Sequence, residues 1–180
     1  MPPPTTPPLE CPQEPSAGAP KTPIALDKYT GTYRNPAYGS ITFCDSTNPQ
    51  NSSYCNQVLS DFATVDSHKP SQIPSYFQLF AKWSRIWSTH VRLVYISDSG
   101  SGRQFGIQPT ALFTSGFGAD KTPFETFESG AGEVVAEFVL VNGRVLGLGV
   151  QGIVGDLSER RGNTIQEKAE VWFDKIDDME

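Results

Sequence analysis

The amino-acid sequence predicts an all-β chain: eight to ten short antiparallel strands running up and down and closing into a barrel, behind a Pro-rich N-terminal tail. Three observations carry that expectation. Strand-like runs recur at short spacing with turn chemistry between them, and no run has a convincing amphipathic helical period. Pro (15) and Gly (16) are plentiful among 180 residues, aromatics reach 11% and charged residues only 19%, a mix that favours turns and strands over helices. Finally, residues 133–151 place two β-rich runs around Asn142-Gly143, the pair that best tolerates the positive φ of a type I′ turn. A two-residue loop there sets Leu140 opposite Val145, Phe138 opposite Gly147 and Ala136 opposite Gly149. Gly147 leaves room for the ring of Phe138, while Glu137 and Arg144 on the other face look partly outward.

In chain order, residues 1–23 are rich in Pro, Thr, Ser and Ala without periodicity and read as a flexible linker or tail. The folded domain is expected over 24–178. Residues 26–33 form a first strand, 35–39 a turn and 40–44 the returning strand. Residues 57–65 read as a third strand, with Val58, Ser60, Phe62 and Thr64 on one side, and 70–74 as a connector. The clearest alternation spans 83–95: Trp83, Arg85, Trp87, Val91, Leu93 and Tyr95 face inward, His90 and Arg92 outward. A loop at 97–102 leads to a strand in which Phe105, Ile107, Ala111 and Phe113 alternate, with Pro109 marking an edge or bulge. Residues 122–127 are short and aromatic; after the Asn-Gly hairpin come a polar loop over 155–168 and a last strand over 169–176. Gly31-Thr32-Tyr33 favours a barrel over a sandwich, because a Gly beside an aromatic there packs across a barrel end. Eight strands enclose side chains and at most one small ligand.

Cys44 and Cys55 bracket a polar loop that a disulfide would close, contributing roughly 3 kcal/mol by restricting the unfolded chain. Two free thiols are the alternative. Asn51-Ser52-Ser53 in that loop is a glycosylation sequon, and Cys11 has no evident partner. These features point outside the cell, although residues 1–10 carry neither the basic start nor the apolar core of a secretory signal. A formal charge of −6 argues against nucleic acid or an anionic membrane as a partner, and no run of 18 apolar residues is present.

Residues 26–43, 134–145 and 169–176, together with 59–63, 87–91 and 121–125, resemble in one order the C-terminal lipocalin-like domain of serine β-lactamase-like, penicillin-binding-protein-like hydrolases, most closely the fungal, secreted branch. The resemblance covers about residues 24–177. It implies a lipocalin-like barrel that covers or shapes an active site, with an upstream serine-hydrolase domain, or its product, as partner. That catalytic domain is expected upstream of residue 1. The Ser-x-x-Lys element of those hydrolases is absent: the residues three before each lysine are Gly18, Ala25, Asp66, Leu79, Gly118, Ile165 and Trp172.

Other chemistry is sparse. His68 and His90 are the only histidines, which excludes a His-rich zinc site or a conventional triad, and His90 reads as a surface histidine. Asp120, Glu125 and Glu128, like the terminal Asp177, Asp178 and Glu180, read as solvated charges, so no metal site or cofactor is called for. The aromatics Trp83, Trp87, Tyr95, Phe105, Phe113, Phe138 and Phe173 should point inward and fill the core. Alternatively Trp83, Trp87, Tyr95, Phe105 and Phe138 line a cavity for a small apolar molecule, with Arg85 orienting an acidic ligand or pairing with a glutamate. Two functions follow: a non-catalytic accessory barrel, or a stand-alone barrel that binds a small apolar molecule or steers its cyclisation or isomerisation.

Overall fold

The structure, a computed structural model, describes residues 25–48, 52–68, 77–86, 88–99, 102–127, 134–153 and 162–176. The expected tail at 1–23, the sequon at Asn51, the connector at 70–74, Trp87, Glu128 and the terminal acidic residues lie outside them.

Among the described residues there are nine antiparallel strands: β1 (Gly31–Asn35), β2 (Gly39–Asp45), β3 (Gln78–Lys82), β4 (His90–Ser99), β5 (Gly102–Phe113), β6 (Phe124–Phe127), β7 (Val134–Val141), β8 (Arg144–Gln151) and β9 (Val171–Ile176). The sheet order is β4-β3-β2-β1-β9-β8-β7-β5-β6, and β4 also pairs with β5. Eight strands therefore close an up-and-down barrel, and β6 is an addition. One edge of the long β5 is shared: residues 102–107 pair with β7 and 110–113 with β6. Pro109, opposite Val91 of β4, falls between the two partners, where no N–H is asked of it on that edge.

The barrel's two ends differ. Leu26 and Tyr29, on and before a 3-10 turn (Asp27–Tyr29), are buried at the end where β1 begins. The predicted first strand thus starts only at Gly31, whose φ of 106° turns the plug into β1. Tyr29 meets Phe105 and Phe138, with ring centroids 5.9 and 5.1 Å away. Tyr33 is fully buried beside them and donates its hydroxyl to Tyr29 O at 3.0 Å. At the opposite end lie the β1–β2 turn, the β3–β4 loop, and the start of β7.

Three expectations are corrected. Residues 57–65 are helical, within α1 (Ser53–Asp66). Ser52 caps its N-terminus by accepting from Cys55 N, and Cys55, Val58, Phe62 and Val65 are buried at a 3-4-3 spacing, one face of a helix rather than alternate sides of a strand. The span 83–95 is not one strand: β3 ends at Lys82, which pairs with His90, and none of 83–86, 88 and 89 belongs to a strand, although Trp83 N donates to Thr89 O at 2.9 Å and Arg85 N to Ser88 O at 2.7 Å. Within 90–95 the alternation holds, with Val91 and Leu93 in the core. Third, the Asn142-Gly143 turn (φ 52° and 79°) and the Leu140–Val145 pair stand, but a bulge then shifts the register so that Phe138 faces Leu148 and Ala136 faces Val150. The void at Gly147 is filled by the Trp172 indole of β9, not by Phe138.

The Cys44–Cys55 disulfide is formed, with Cα atoms 5.5 Å apart, and ties the start of α1 to β2. The helix lies on the barrel's outer face, where Val58 and Phe62 pack with Phe80 of β3. A second short helix, α2 (Ile165–Lys168), sits inside the predicted polar loop, held by a Thr164–Glu167 capping box, and seats Ile165 above Gly149.

Candidate functional site

Two places in the fold gather polar or aromatic side chains around something other than ordinary core. The first is the end opposite the Leu26–Tyr29 plug. Trp83, leaving β3, packs its indole near Phe173 at 6.2 Å between centroids, and Tyr38 approaches the same ring at 6.3 Å. Arg85 lies over both, its Cζ 4.1 Å from the Trp83 centroid and 4.7 Å from that of Tyr38, and donates to Tyr38 O at 3.3 Å. Among the described residues its partners are therefore ring faces and a carbonyl, with no glutamate among them. No carboxylate among the described residues lies within ion-pair distance of it. Beneath Trp83 is an apolar cavity of about 10 Å³, walled by side chains such as Ile41, Val91, Ile107, Val150 and Phe173. That is near the threshold for a single water. The Trp83 Nε1 is buried and has no hydrogen-bond partner among the described residues. Around the same end Ile86 is 87% exposed, and Phe117, Phe124 and Ile153 are also exposed.

The second place is the outer face beneath α1. Arg92, 2% exposed, makes a forked contact with Asp66 (Nη2–Oδ1 2.6 Å, Nη1–Oδ2 3.1 Å). It also donates to Glu125 Oε2 at 3.2 Å, and its Cζ stacks 4.5 Å from the Phe62 centroid. Thr110 donates weakly to the same Glu125 oxygen at 3.4 Å. His90 is buried beside this group, with Nδ1 2.8 Å from Thr89 Oγ1 and Nε2 3.3 Å from Asp61 Oδ2. The latter contact is electrostatic and poorly aligned for a hydrogen bond, since Nε2 has no partner by geometry. Burial lowers the His90 pKa below its ordinary value; the Asp61 carboxylate opposes that and Lys82 adds to it. Arg92 is shared by two carboxylates, Asp66 and Glu125, so its own charge is fully committed within the chain. Their arrangement clamps helix, barrel and β6 together.

The predicted ligand set is divided by this geometry. Trp83 and Arg85 stand together at the end opposite the Leu26–Tyr29 plug, whereas Tyr95, Phe105 and Phe138 belong to the plugged end: Phe105 and Phe138 meet at 5.3 Å, and Tyr95 meets Phe105 at 5.9 Å. Phe113 does not enter the core but stacks on Phe124 outside the barrel, centroids 4.5 Å apart. His90 and Glu125 point out of the barrel yet are covered, contrary to the reading of a surface histidine and a solvated charge, and Arg92 between them is buried as well. The 3-4-3 pattern of 55, 58, 62 and 65 is the signal that could have found this cover. Among the described residues no three or more His, Cys, Asp and Glu side chains are grouped to hold a metal ion. Compared with family models, curated proteins and solved structures, the chain found no match.

Proposed function

We propose that this chain is a non-catalytic accessory β-barrel domain, of the lipocalin-like kind that accompanies secreted serine β-lactamase-like hydrolases, and that it acts through its outer surface. The observation that carries this reading is the packed interior: Tyr33, Phe43, Phe105 and Phe138 are essentially buried and interlock by edge-on ring contacts, and buried Phe173 is met by Tyr38 and Trp83. A barrel filled in this way supplies shape and surface rather than a reaction chamber. The absence of any Ser-x-x-Lys element from the sequence supports the same reading. The test has two arms. Sequencing the transcript should reveal an in-frame Ser-x-x-Lys domain upstream, and the purified chain should neither be acylated by a fluorescent penicillin nor cleave p-nitrophenyl acetate. Acylation that depends on one of its serines refutes the proposal.

A second reading, a barrel that binds a small apolar molecule, is favoured by one specific observation. The residual cavity under Trp83 is lined by apolar side chains and lies at the end without the Leu26–Tyr29 plug. Shifts in tryptophan emission on adding lipophilic compounds test it, and a flat response across such a panel counts against it.

A further inference from the structure

Trp83 is the only wall of the apolar cavity that does not stand on a strand; the others belong to β2, β4, β5, β8 and β9. Its backbone is held on one side only, Trp83 N donating to Thr89 O at 2.9 Å, so it moves at lower cost than a residue held between two ladders. Its indole N–H is buried without an acceptor among the described residues, so it gains a hydrogen bond by leaving its place, where a satisfied indole would lose one. On the outer face of that indole lies the Arg85 guanidinium, its fork uncommitted to any carboxylate among the described residues. The plugged end uses the same device differently. There Arg103 lies over Tyr29 and Tyr95 (5.4 and 5.7 Å), but its Nε bonds Asp98 at 2.6 Å, so the charge is neutralised within the chain.

We propose that Trp83 is a movable lid and Arg85 an anion anchor, forming a site for a compact monocarboxylic acid whose apolar body enters the cavity while its carboxylate meets the guanidinium fork. This rests on the second reading above and gives it a ligand class. The space gained when the lid swings is that of an indole, so the body is a phenyl ring or a short alkyl chain. A carboxylate suits Arg85 because its two oxygens match the fork, with the stacked rings holding the plane.

The experiment is a ¹H–¹⁵N titration of the whole chain that follows the indole N–H signals, with Trp83 identified by its loss in Trp83→Phe. Benzoate and hexanoate should shift the Trp83 signal saturably. Benzamide and hexanamide, of equal shape and no charge, should bind at least tenfold more weakly. Arg85→Gln should abolish the difference between acid and amide, and Arg85→Lys should retain part of it, both with unchanged circular dichroism. Equal binding of acid and amide overturns the anchor while leaving the apolar-ligand reading standing. No binding of any of the four compounds overturns both. If only an acidic peptide binds through Arg85, the site is for a protein carboxylate, and the small-acid proposal is wrong.

Discussion

Replacing Cys44 and Cys55 together by alanine removes a cross-link that spans 11 residues. In the chain-entropy account a loop of that length restricts the unfolded ensemble by about 9 cal/mol/K, or about 2.8 kcal/mol at 25 °C. For a domain of this size that corresponds to a fall in Tm of roughly 6 to 11 °C. The native state should change little, because Val58, Phe62 and Val65 remain to hold α1 on the barrel, each buried side chain contributing roughly 1.5–3 kcal/mol. The assay is urea unfolding of three samples: oxidised wild type, reduced wild type and the double variant. Reduction keeps the buried sulfurs in place, so it separates the cross-link from the packing of Cys44 and Cys55, both almost fully buried. The two perturbed samples should agree within about 1 kcal/mol and show a slightly larger m-value, as expected of a more open unfolded chain. A loss below about 1 kcal/mol refutes the reasoning. A loss well above about 5 kcal/mol refutes it too, since the bridge would then be holding native structure that the helix's apolar face does not.

Three further outcomes test the outer clamp and the packing of the hairpin. Arg92→Met should cost about 3–5 kcal/mol by leaving the nearly buried Glu125 without its cation, and adding Glu125→Gln should recover a large part of that; denaturant midpoints of the single and double variants decide it. Gly147→Ala drives a Cβ into the Trp172 indole and the Phe173 carbonyl and should cost about 1–3 kcal/mol, more than Gly149→Ala, which meets side chains of the short α2 segment; thermal unfolding ranks the two. His90 supplies a pH dependence. Burial keeps its folded pKa below 6.5, so the unfolded chain binds a proton that the folded chain refuses, and stability is lost as pH falls below about 6.5, by at most about 1.4 kcal/mol per pH unit. His90→Asn should flatten that part of the pH profile in urea titrations between pH 5 and 7.5. A wild type that instead gains stability on acidification, relative to the variant, would mean that Asp61 outweighs burial.

What the sequence made legible was whatever depends on neighbours in the chain. The Asn142-Gly143 turn, the inward set Val91, Leu93, Phe105 and Ile107, and the closure of 44 onto 55 all follow from local chemistry or period. The failures have one physical source: a second element changes the meaning of a local pattern. Val58 and Phe62 fit both a strand face and a helix stripe, and Ser52 as cap decides for the helix only when Cys55 and Val65 are counted as well. Once that helix lies on the barrel, outward-pointing His90 and Arg92 become buried, and no alternation in 83–95 could report it. The hairpin slipped for a related reason. The space beside Gly147 was claimed by Trp172 from a strand far along the chain, and the extra residue Leu146 was bulged out of the ladder.

The candidate site divided along the same lines. Inward alternation placed Tyr95, Phe105 and Phe138 on the inner face but missed the outward Phe113, and it could not assign residues to an end, because strand position along the barrel axis depends on register with partners on either side. Register carries Tyr95, Phe105 and Phe138 to the end that Tyr29 fills, where ring packing satisfies them. It leaves Trp83 and Arg85 at the other, beyond the last pair of β3 with β4. A barrel closed by its own strands has no edge to offer along most of its wall. Exposed apolar side chains lie toward both ends of that wall, Ile86 and Phe117 at one and Val141 and Leu146 at the other. Under the ligand-binding proposal, closure of the sheet confines entry to a barrel end, and Trp83 and Arg85 put it at theirs.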